Sequence, residues 1–522
     1  MKIDVLETSL RDGVQAEGIS LSLEDKLALI RLFDGLGLQF IEAGNPAAIP
    51  KDKLFLCGGE LPETKNSKLV AFGSTRHKNN LSSEDLSLKT LALSKTQYIS
   101  LVGKSSLTHI ERVLGVTPDD NLIMIYDSIR YLCDRDKTVF FDAEHFFDGF
   151  KEDAAYAMET LRTAKNAGAE LLVLCDTNGA STPEEISAIT GKAARAFKKT
   201  RIGIHCHDDS GLAVANTMAA VAAGASHIQG TFLGFGERCG NCNLSTVIPN
   251  LQLKSGYEIL SADALKKFTS SARRVAEIAN ISLRKNIPYV GKCAFTHKAG
   301  MHSDGVLKYP PAFEHINPED IGNDRNFLLS EAAGRAIFQK KAEAAIPDIV
   351  FSPADISSLL DNLKRMEMLG YQFEGADASF YIFLLKSLGK YKPFFELINF
   401  SVTSTRPSDG ENSAEAVIEI KVGDSTEKAV ARGNGPVNAL DIALRLALSK
   451  FYPVINNITL TDYKVRVIDS EAATKAKVRV LITSSDGNES WTTVGVSTDV
   501  VEASRNALCD AVEYLLAVRK EK

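Results

Sequence analysis

Val139-Phe-Phe-Asp-Ala-Glu-His145, Leu171-Leu-Val-Leu-Cys-Asp-Thr177 and Ile202-Gly-Ile-His-Cys-His207 are three short apolar runs, each ending on polar residues. Between them stand two stretches of helical period, Asp153 to Ala167 and Pro183 to Phe197. The second opens on Ser181-Thr-Pro-Glu-Glu185, a good helix start with acidic residues in the first turn. Strand, helix and strand again is the pattern of parallel β/α units. Working outward, strand-like runs at Ile3 to Thr8, Phe40 to Gly44, Leu69 to Gly73 and Tyr98 to Gly103 precede these three, and His227 to Gly236 follows. Helical patterns such as Glu24 to Leu36 and Leu212 to Ala223 separate them. Eight alternations over roughly 250 residues match a (β/α)8 TIM barrel in number and size. An open doubly wound sheet is the alternative, because a sequence does not show closure.

The barrel leaves about half of the 522 residues over. From about 260 to 395 the chain turns helical and charged, with Pro and Gly punctuation at Tyr289-Val-Gly291 and Tyr309-Pro-Pro311. Beyond about 400 it becomes β-rich with an internal repeat. Strands near Ala416–Lys421 and Lys428–Arg432 feed a helix from about Val437. Strands near Lys477–Thr483 and Trp491–Val496 feed a second from about Val500. Two copies are too few for a solenoid and suggest a pseudo-symmetric α+β domain. The expected division is a catalytic barrel over 1–260, a helical subdomain over 261–397 and a regulatory domain over 398–522.

Composition narrows the function. Apolar residues at 44% and charged residues at 24% are ordinary for a globular protein. Sixty basic against 66 acidic side chains leave a net charge of −6, which argues against a nucleic-acid partner. No apolar run is long enough to span a membrane. Eight cysteines are too sparse for a disulfide framework, so a cytoplasmic location is expected.

In a barrel of this kind, catalytic groups sit at the C-terminal ends of the strands. The polar residues concentrate there: Thr8-Ser-Leu-Arg-Asp-Gly-Val-Gln15, Asp142-Ala-Glu-His145, Asp176-Thr-Asn178, His205-Cys-His-Asp-Asp209 and Gly236-Glu-Arg-Cys-Gly-Asn241. His205 and His207 are two apart on a strand and so point to one face. With Asp12 and Asn241 at the same end of the barrel, they make a candidate site for a divalent ion that keeps positions open for substrate oxygens. A lone histidine in such a place is ordinarily a packed core residue; two at this spacing favour a metal. Three other signals carry less. Cys239-Gly-Asn-Cys242 lacks a second pair for a structural zinc. Gly103-Lys-Ser105 looks like the tail of a phosphate loop, but Tyr98 stands where that loop needs glycine. Gly234, Gly236 and Gly240 miss the dinucleotide spacing.

Thr8-Ser-Leu-Arg-Asp-Gly13, His205-Cys-His-Asp-Asp-Ser-Gly-Leu212 and Gly236-Glu-Arg-Cys-Gly-Asn241 together resemble the metal-dependent, acyl-CoA-condensing 2-isopropylmalate synthase/homocitrate synthase family. The resemblance continues through Ala299-Gly-Met-His-Ser-Asp-Gly-Val306, like the family's catalytic-histidine loop, and Gly433-Asn-Gly-Pro-Val-Asn-Ala-Leu-Asp441, like its allosteric domain. Phe72-Gly-Ser-Thr-Arg76, Asp142-Ala-Glu-His-Phe-Phe-Asp-Gly149 and Val173-Leu-Cys-Asp-Thr-Asn-Gly179 look most like the citramalate-forming members. Three positions depart from the usual pattern: Glu7-Thr8-Ser9 for Asp-Thr-Thr, the loop Gly44-Asn-Pro-Ala47, and Phe313 in place of a tyrosine.

The resemblance implies an acyltransferase that condenses acetyl-CoA with pyruvate and then hydrolyses the thioester. The alternative substrate is 2-ketoisovalerate, as in leucine biosynthesis. Asp12, His205, His207 and Asn241 would hold Mg2+, Mn2+ or Zn2+, and Arg11 would stabilise the developing alkoxide. Removal of the methyl proton would involve Glu144 and His302, and which of the two takes it stays open. A carboxylate beside a cation is a weakened base, which favours an orienting or relay role for Glu144. Thr177, Glu42 and Gln15 are the expected substrate-side residues. The C-terminal repeat would sense isoleucine or leucine, and a homodimer is the implied assembly. Two rivals remain: a lyase or aldolase of the same barrel class, which needs neither later region, and a catalytically idle amino-acid-binding regulator, which has no use for the metal residues.

Overall fold

The structure, a computed structural model, describes residues 1–298, 300–328, 335–406, 413–468, 476–487 and 489–520. Ala299, at the head of the expected histidine loop, lies outside the described residues. The chain forms two compact units, one of Met1–Phe295 with Glu314–Arg325 and one of Thr296–Phe313 with Asn326–Lys522. Among the described residues no helix is long and apolar enough to cross a membrane.

The first unit is a closed barrel of eight parallel strands: β1 (Asp4–Glu7), β2 (Phe40–Gly44), β3 (Lys68–Ser74), β4 (Tyr98–Lys104), β5 (Thr138–Glu144), β6 (Leu171–Asp176), β7 (Arg201–Cys206) and β8 (His227–Gly230). Closure is made by β1 against β8, with Asp4 opposite His227 and Glu7 opposite Gly230. The open-sheet alternative is thereby excluded. The surrounding helices begin where their capping residues stand. Ser22, Thr117 and Thr182 each accept from the backbone three residues on, and Asp25, Asp120 and Glu185 reach back to complete capping boxes. Helices Ala262–Leu265 and Phe268–Ile278 belong to this same unit.

Alternate residues of each strand fill the barrel in layers. The lower layer is apolar and aromatic, built from Leu6, Phe40, Val70, Phe140, Leu171 and Val173. His227 is inserted in it, its ring 5.9 Å from that of Phe40 and 5.6 Å from that of Phe140. Gly203 makes room, since a Cβ there would lie 3.1 Å from both His227 and Val173. Two residues further along the strands the interior turns polar, with Ser100, Asp142, Gln229 and His205 all buried.

Both ring nitrogens of His227 are buried without a hydrogen-bond partner, and burial, with Arg201 adding to it, pushes its pKa down to about 3. The unfolded chain therefore binds a proton that the native barrel refuses. Stability falls as pH drops from about 6.5 toward 3, by at most about 1.4 kcal/mol per pH unit from this group. His227→Leu should raise the thermal midpoint at pH 7 and raise it more at pH 5. An equal shift at both values in scanning calorimetry would remove His227 from the acid response.

The second unit carries the short parallel pair β9 (Thr296–His297) and β10 (Asn326–Phe327), a helical part and two small sheets. Helices Arg335–Ala345, Pro353–Met368 and Asp377–Ser387 enclose a core of Phe338, Ile356, Leu359, Phe380 and Ile382. β11 (Glu396–Thr405), β12 (Ser413–Val422) and β13 (Ser425–Gly433) form an antiparallel sheet followed by helix Pro436–Leu448. β14 (Thr459–Val467), β15 (Val478–Ser485) and β16 (Ser490–Ser497) form another, followed by helix Val500–Lys520. Each copy thus has a third strand that the sequence does not announce. β11 and β14 are edge strands with few buried side chains, so the apolar alternation that betrays a strand is weak in them. The repeat extends to a matching register shift, between Leu397 and Asn399 in one copy and between Leu460 and Asp462 in the other.

Candidate active site

His205 is the inward residue near the end of β7, and His207 follows it just past the strand. Their Nε2 atoms are 3.2 Å apart, and His205 Nε2 is 3.4 Å from Asp12 Oδ2. Asp12, His205 and His207 each offer a ligand atom within 4.8 Å of the others, and all three are buried. Burial lowers both imidazoles, His207 to about 4, so each keeps a neutral lone pair near neutral pH. Burial alone would raise the Asp12 carboxyl; the Arg11 guanidinium and the two imidazoles outweigh it and hold Asp12 below the usual range.

Asn241 reaches the cluster through a loop that folds back on β7. An antiparallel bridge joins His207 to Asn241, and Asp208 N donates to Gly240 O at 2.9 Å. The glycines of Gly236-Glu-Arg-Cys-Gly240 are steric requirements. A Cβ on Gly236 would lie 2.2 Å from Asn241 Nδ2, and one on Gly240 2.0 Å from Gly234 O. Arg238 adopts a left-handed backbone at the rim, donates to both oxygens of Asp209 at 2.8 and 2.9 Å, and donates to Thr177 O at 2.9 Å. Cys239 is exposed, Cys242 is buried, and both are free.

Arg11 Nε donates to Glu42 Oε2 at 2.6 Å, and its guanidinium lies 3.8 Å from the Phe72 ring centre. Glu42 is fully buried, and burial pushes its carboxyl up to about 7 against the opposing Arg11. Glu42 thus contacts Arg11 and is not among the residues lining the cavity. A pocket of about 210 Å³ lies between the strand ends, walled by Arg11, Asp12, Phe72, Asp142, Glu144 and Thr177, with Gln15 at the edge. Thr177 Oγ1 accepts from His145 N at 2.8 Å, so its own proton is free to be given elsewhere. Glu144, at the end of β5, is paired with Lys104, its register partner at the end of β4. Gly103-Lys-Ser105 thus belongs to the site by placing this lysine.

The departures from the family pattern have local explanations. Glu7 accepts from Ser9 and from Phe232 N, tying β1 to the chain after β8. Gly44 leaves space for Asp52, which accepts from Asn45 N at 2.9 Å and from the buried Lys26 at 2.6 Å. Phe313 lies in the second unit with its ring 4.6 Å from that of His302, and Gly305 clears the room for it. His302 stands on helix Gly300–Lys308 of that unit.

Sequence reasoning placed Asp142 at the polar end of its strand without a role, and did not name Lys104 or Gln229 as parts of the site. Asp142 and Gln229 are two residues from an interior residue on their own strands, Glu144 and His227. That period was the available signal.

Asn241 Oδ1 is buried with no hydrogen-bond partner, an orphaned acceptor that costs about 1–3 kcal/mol and that a cation would satisfy. A carboxylate, two imidazoles and an amide oxygen converging on one point suit a divalent cation with open positions. The residues fit.

Residues 2–275 match the HMGL-like family, 289–369 the homocitrate synthase post-HMGL domain-like family, and 374–516 the LeuA allosteric (dimerisation) domain. The (R)-citramalate synthase of Aquifex aeolicus is 44% identical over 522 residues, covering 100% of this chain and 99% of the relative. The (R)-citramalate synthase of Synechocystis is 44% identical over 97% of this chain and 95% of the relative. The 2-isopropylmalate synthase of Shouchella clausii is 29% identical over 99% of this chain and 97% of the relative. With the barrel, the metal-ligating cluster and both later regions accounted for over the full length, the chain belongs to the HMGL-like family of 2-isopropylmalate, homocitrate and citramalate synthases.

Proposed function

We propose that the chain condenses acetyl-CoA with pyruvate to (R)-citramalate, hydrolysing the thioester, as an acyltransferase of isoleucine biosynthesis. The observation that carries this reading is the buried Asp12, His205 and His207 cluster in a chain 44% identical from end to end to an (R)-citramalate synthase. Asp12, His205, His207 and Asn241 would hold a Mg2+, Mn2+ or Zn2+ ion. When bound, the ion supplies Lewis acidity at the keto oxygen.

The chain's own residues do the rest. Arg11, aimed by Glu42 and backed by Phe72, presents fixed positive charge to the alkoxide that develops at C2. Such preorganised charge is worth roughly 3–4 kcal/mol in the transition state. Thr177 donates its hydroxyl proton to the keto-acid carboxylate, and Gln15 closes the rim. His302 takes the acetyl methyl proton, and Glu144, paired with Lys104, has an orienting or relay role. Hydrolysis of the condensed thioester makes the overall reaction effectively irreversible. The C-terminal repeat senses a branched-chain amino acid, isoleucine on this reading, and two copies of the chain assemble through it. The three functional segments run 1–260, 261–397 and 398–522, in the cytoplasm, although the start of the second, to Phe295, is compact with the barrel.

The test is CoA release from acetyl-CoA with pyruvate, 2-ketoisovalerate and 2-ketoglutarate side by side. Pyruvate should give a kcat/KM at least tenfold above the others, since even one methylene in a snug pocket is worth about 10–200-fold. Preference for 2-ketoisovalerate would overturn the substrate and leave the chemistry standing; no release with any keto acid would overturn both.

A further inference from the structure

Four strands contribute to one buried chain of hydrogen bonds beneath the metal cluster. Ser100 on β4 donates to Asp142 Oδ2 at 2.5 Å, and Gln229 Nε2 on β8 donates to Asp142 Oδ1 at 3.2 Å. Gln229 Oε1 lies 3.0 Å from His205 Nδ1 on β7. Ser100 is 0%, Gln229 1% and Asp142 5% exposed, so each group is committed to these neighbours.

The chain has a direction. A carboxylate only accepts, so the side of the Gln229 amide turned to Asp142 is its NH2. The carbonyl is thereby turned to His205, and a carbonyl also only accepts. His205 must then carry its proton on Nδ1. The lone pair is left on Nε2, the nitrogen that faces Asp12 and His207. In the other tautomer, Nε2 would present a proton at the point where a cation must approach.

We propose that Gln229, held by Asp142, is a positioning residue that fixes the tautomer and ring orientation of His205 for divalent-metal binding. This rests on the metal reading of the cluster given above. Outer partners of ligating histidines are typically worth 10–100-fold in metal affinity or activity. Gln229 does not itself line the cavity; its two polar contacts, His205 and Asp142, do, and only His205 belongs to the ligand set.

The full-length protein, stripped with a chelator, is titrated with Co2+ and followed by visible absorption, with circular dichroism confirming the fold of each variant. Gln229→Leu should weaken Co2+ binding by about 10–100-fold. Gln229→Glu sets two carboxylates face to face and should weaken it similarly. Combining Gln229→Glu with Asp142→Asn restores the donor–acceptor order, because the new amide donates and the new carboxylate accepts from His205. Affinity should return to within about threefold of the parent. Nitrogen NMR of 15N-histidine-labelled, metal-free protein should show His205 protonated at Nδ1 in the parent and the double variant. Parent-like Co2+ affinity in Gln229→Leu, or no recovery in the folded double variant, overturns the proposal. A parent protein that binds no Co2+ instead overturns the metal reading on which it rests.

Discussion

Asp12→Ala is expected to lose bound divalent metal and to lower pyruvate-dependent CoA release by about three orders of magnitude, the equivalent of about 4 kcal/mol. The carboxylate is the charged member of the ligand set, and it lies 3.4 Å from His205 Nε2. Removing it subtracts a ligand and also deprives the Arg11 guanidinium, 3.6 Å from Asp12 Oδ2, of an acidic partner. The control is Asp209→Ala, which breaks a rim pair with Arg238 and should leave metal content unchanged. Metal analysis after dialysis, beside steady-state kinetics, makes the comparison. Full metal occupancy in Asp12→Ala would contradict the assignment.

His302→Ala is the second large effect, and it should separate cleanly from the first. A positioned general base contributes typically 10²–10⁴-fold, so kcat should fall by about that factor. Metal content should stay at the parent level, because His302 belongs to the second unit and is no part of the barrel cluster. Its ring lies tilted against that of Phe313, with centres 4.6 Å apart, in space that any side chain on Gly305 would deny to Phe313. Near-normal kcat in His302→Ala would refute the role. Loss of metal along with kcat would mean that the residue acts on the cluster instead.

The barrel was legible because each strand states itself twice, as an apolar run and as a polar terminus. His205 and His207 announce a shared face through their spacing alone, and the structure brings them to Asp12 as that spacing implies. The interior relations were not legible in the same way. Lys104 meets Glu144 because β4 and β5 pair in that register, and register is a property of two strands. Gln229 matters because His205 lies opposite it on the neighbouring strand, which neither sequence segment records. Edge strands β11 and β14 stayed hidden for a different reason: strands that bury little carry little apolar signal. Glu42 could be named from its strand-end position, yet its partner, the Arg11 guanidinium, comes from a different strand end and is visible only in the fold.

A divalent ion is expected at the end of the barrel among these side chains. Anomalous diffraction at the cobalt edge, on crystals of the Co2+-loaded protein soaked with pyruvate, tests it most directly. The predicted result is one strong peak about 2.0–2.2 Å from Asp12, His205 and His207, with Asn241 as the amide ligand. A peak beside Cys239 and Cys242, or none in a protein whose turnover survives chelation, would contradict the account.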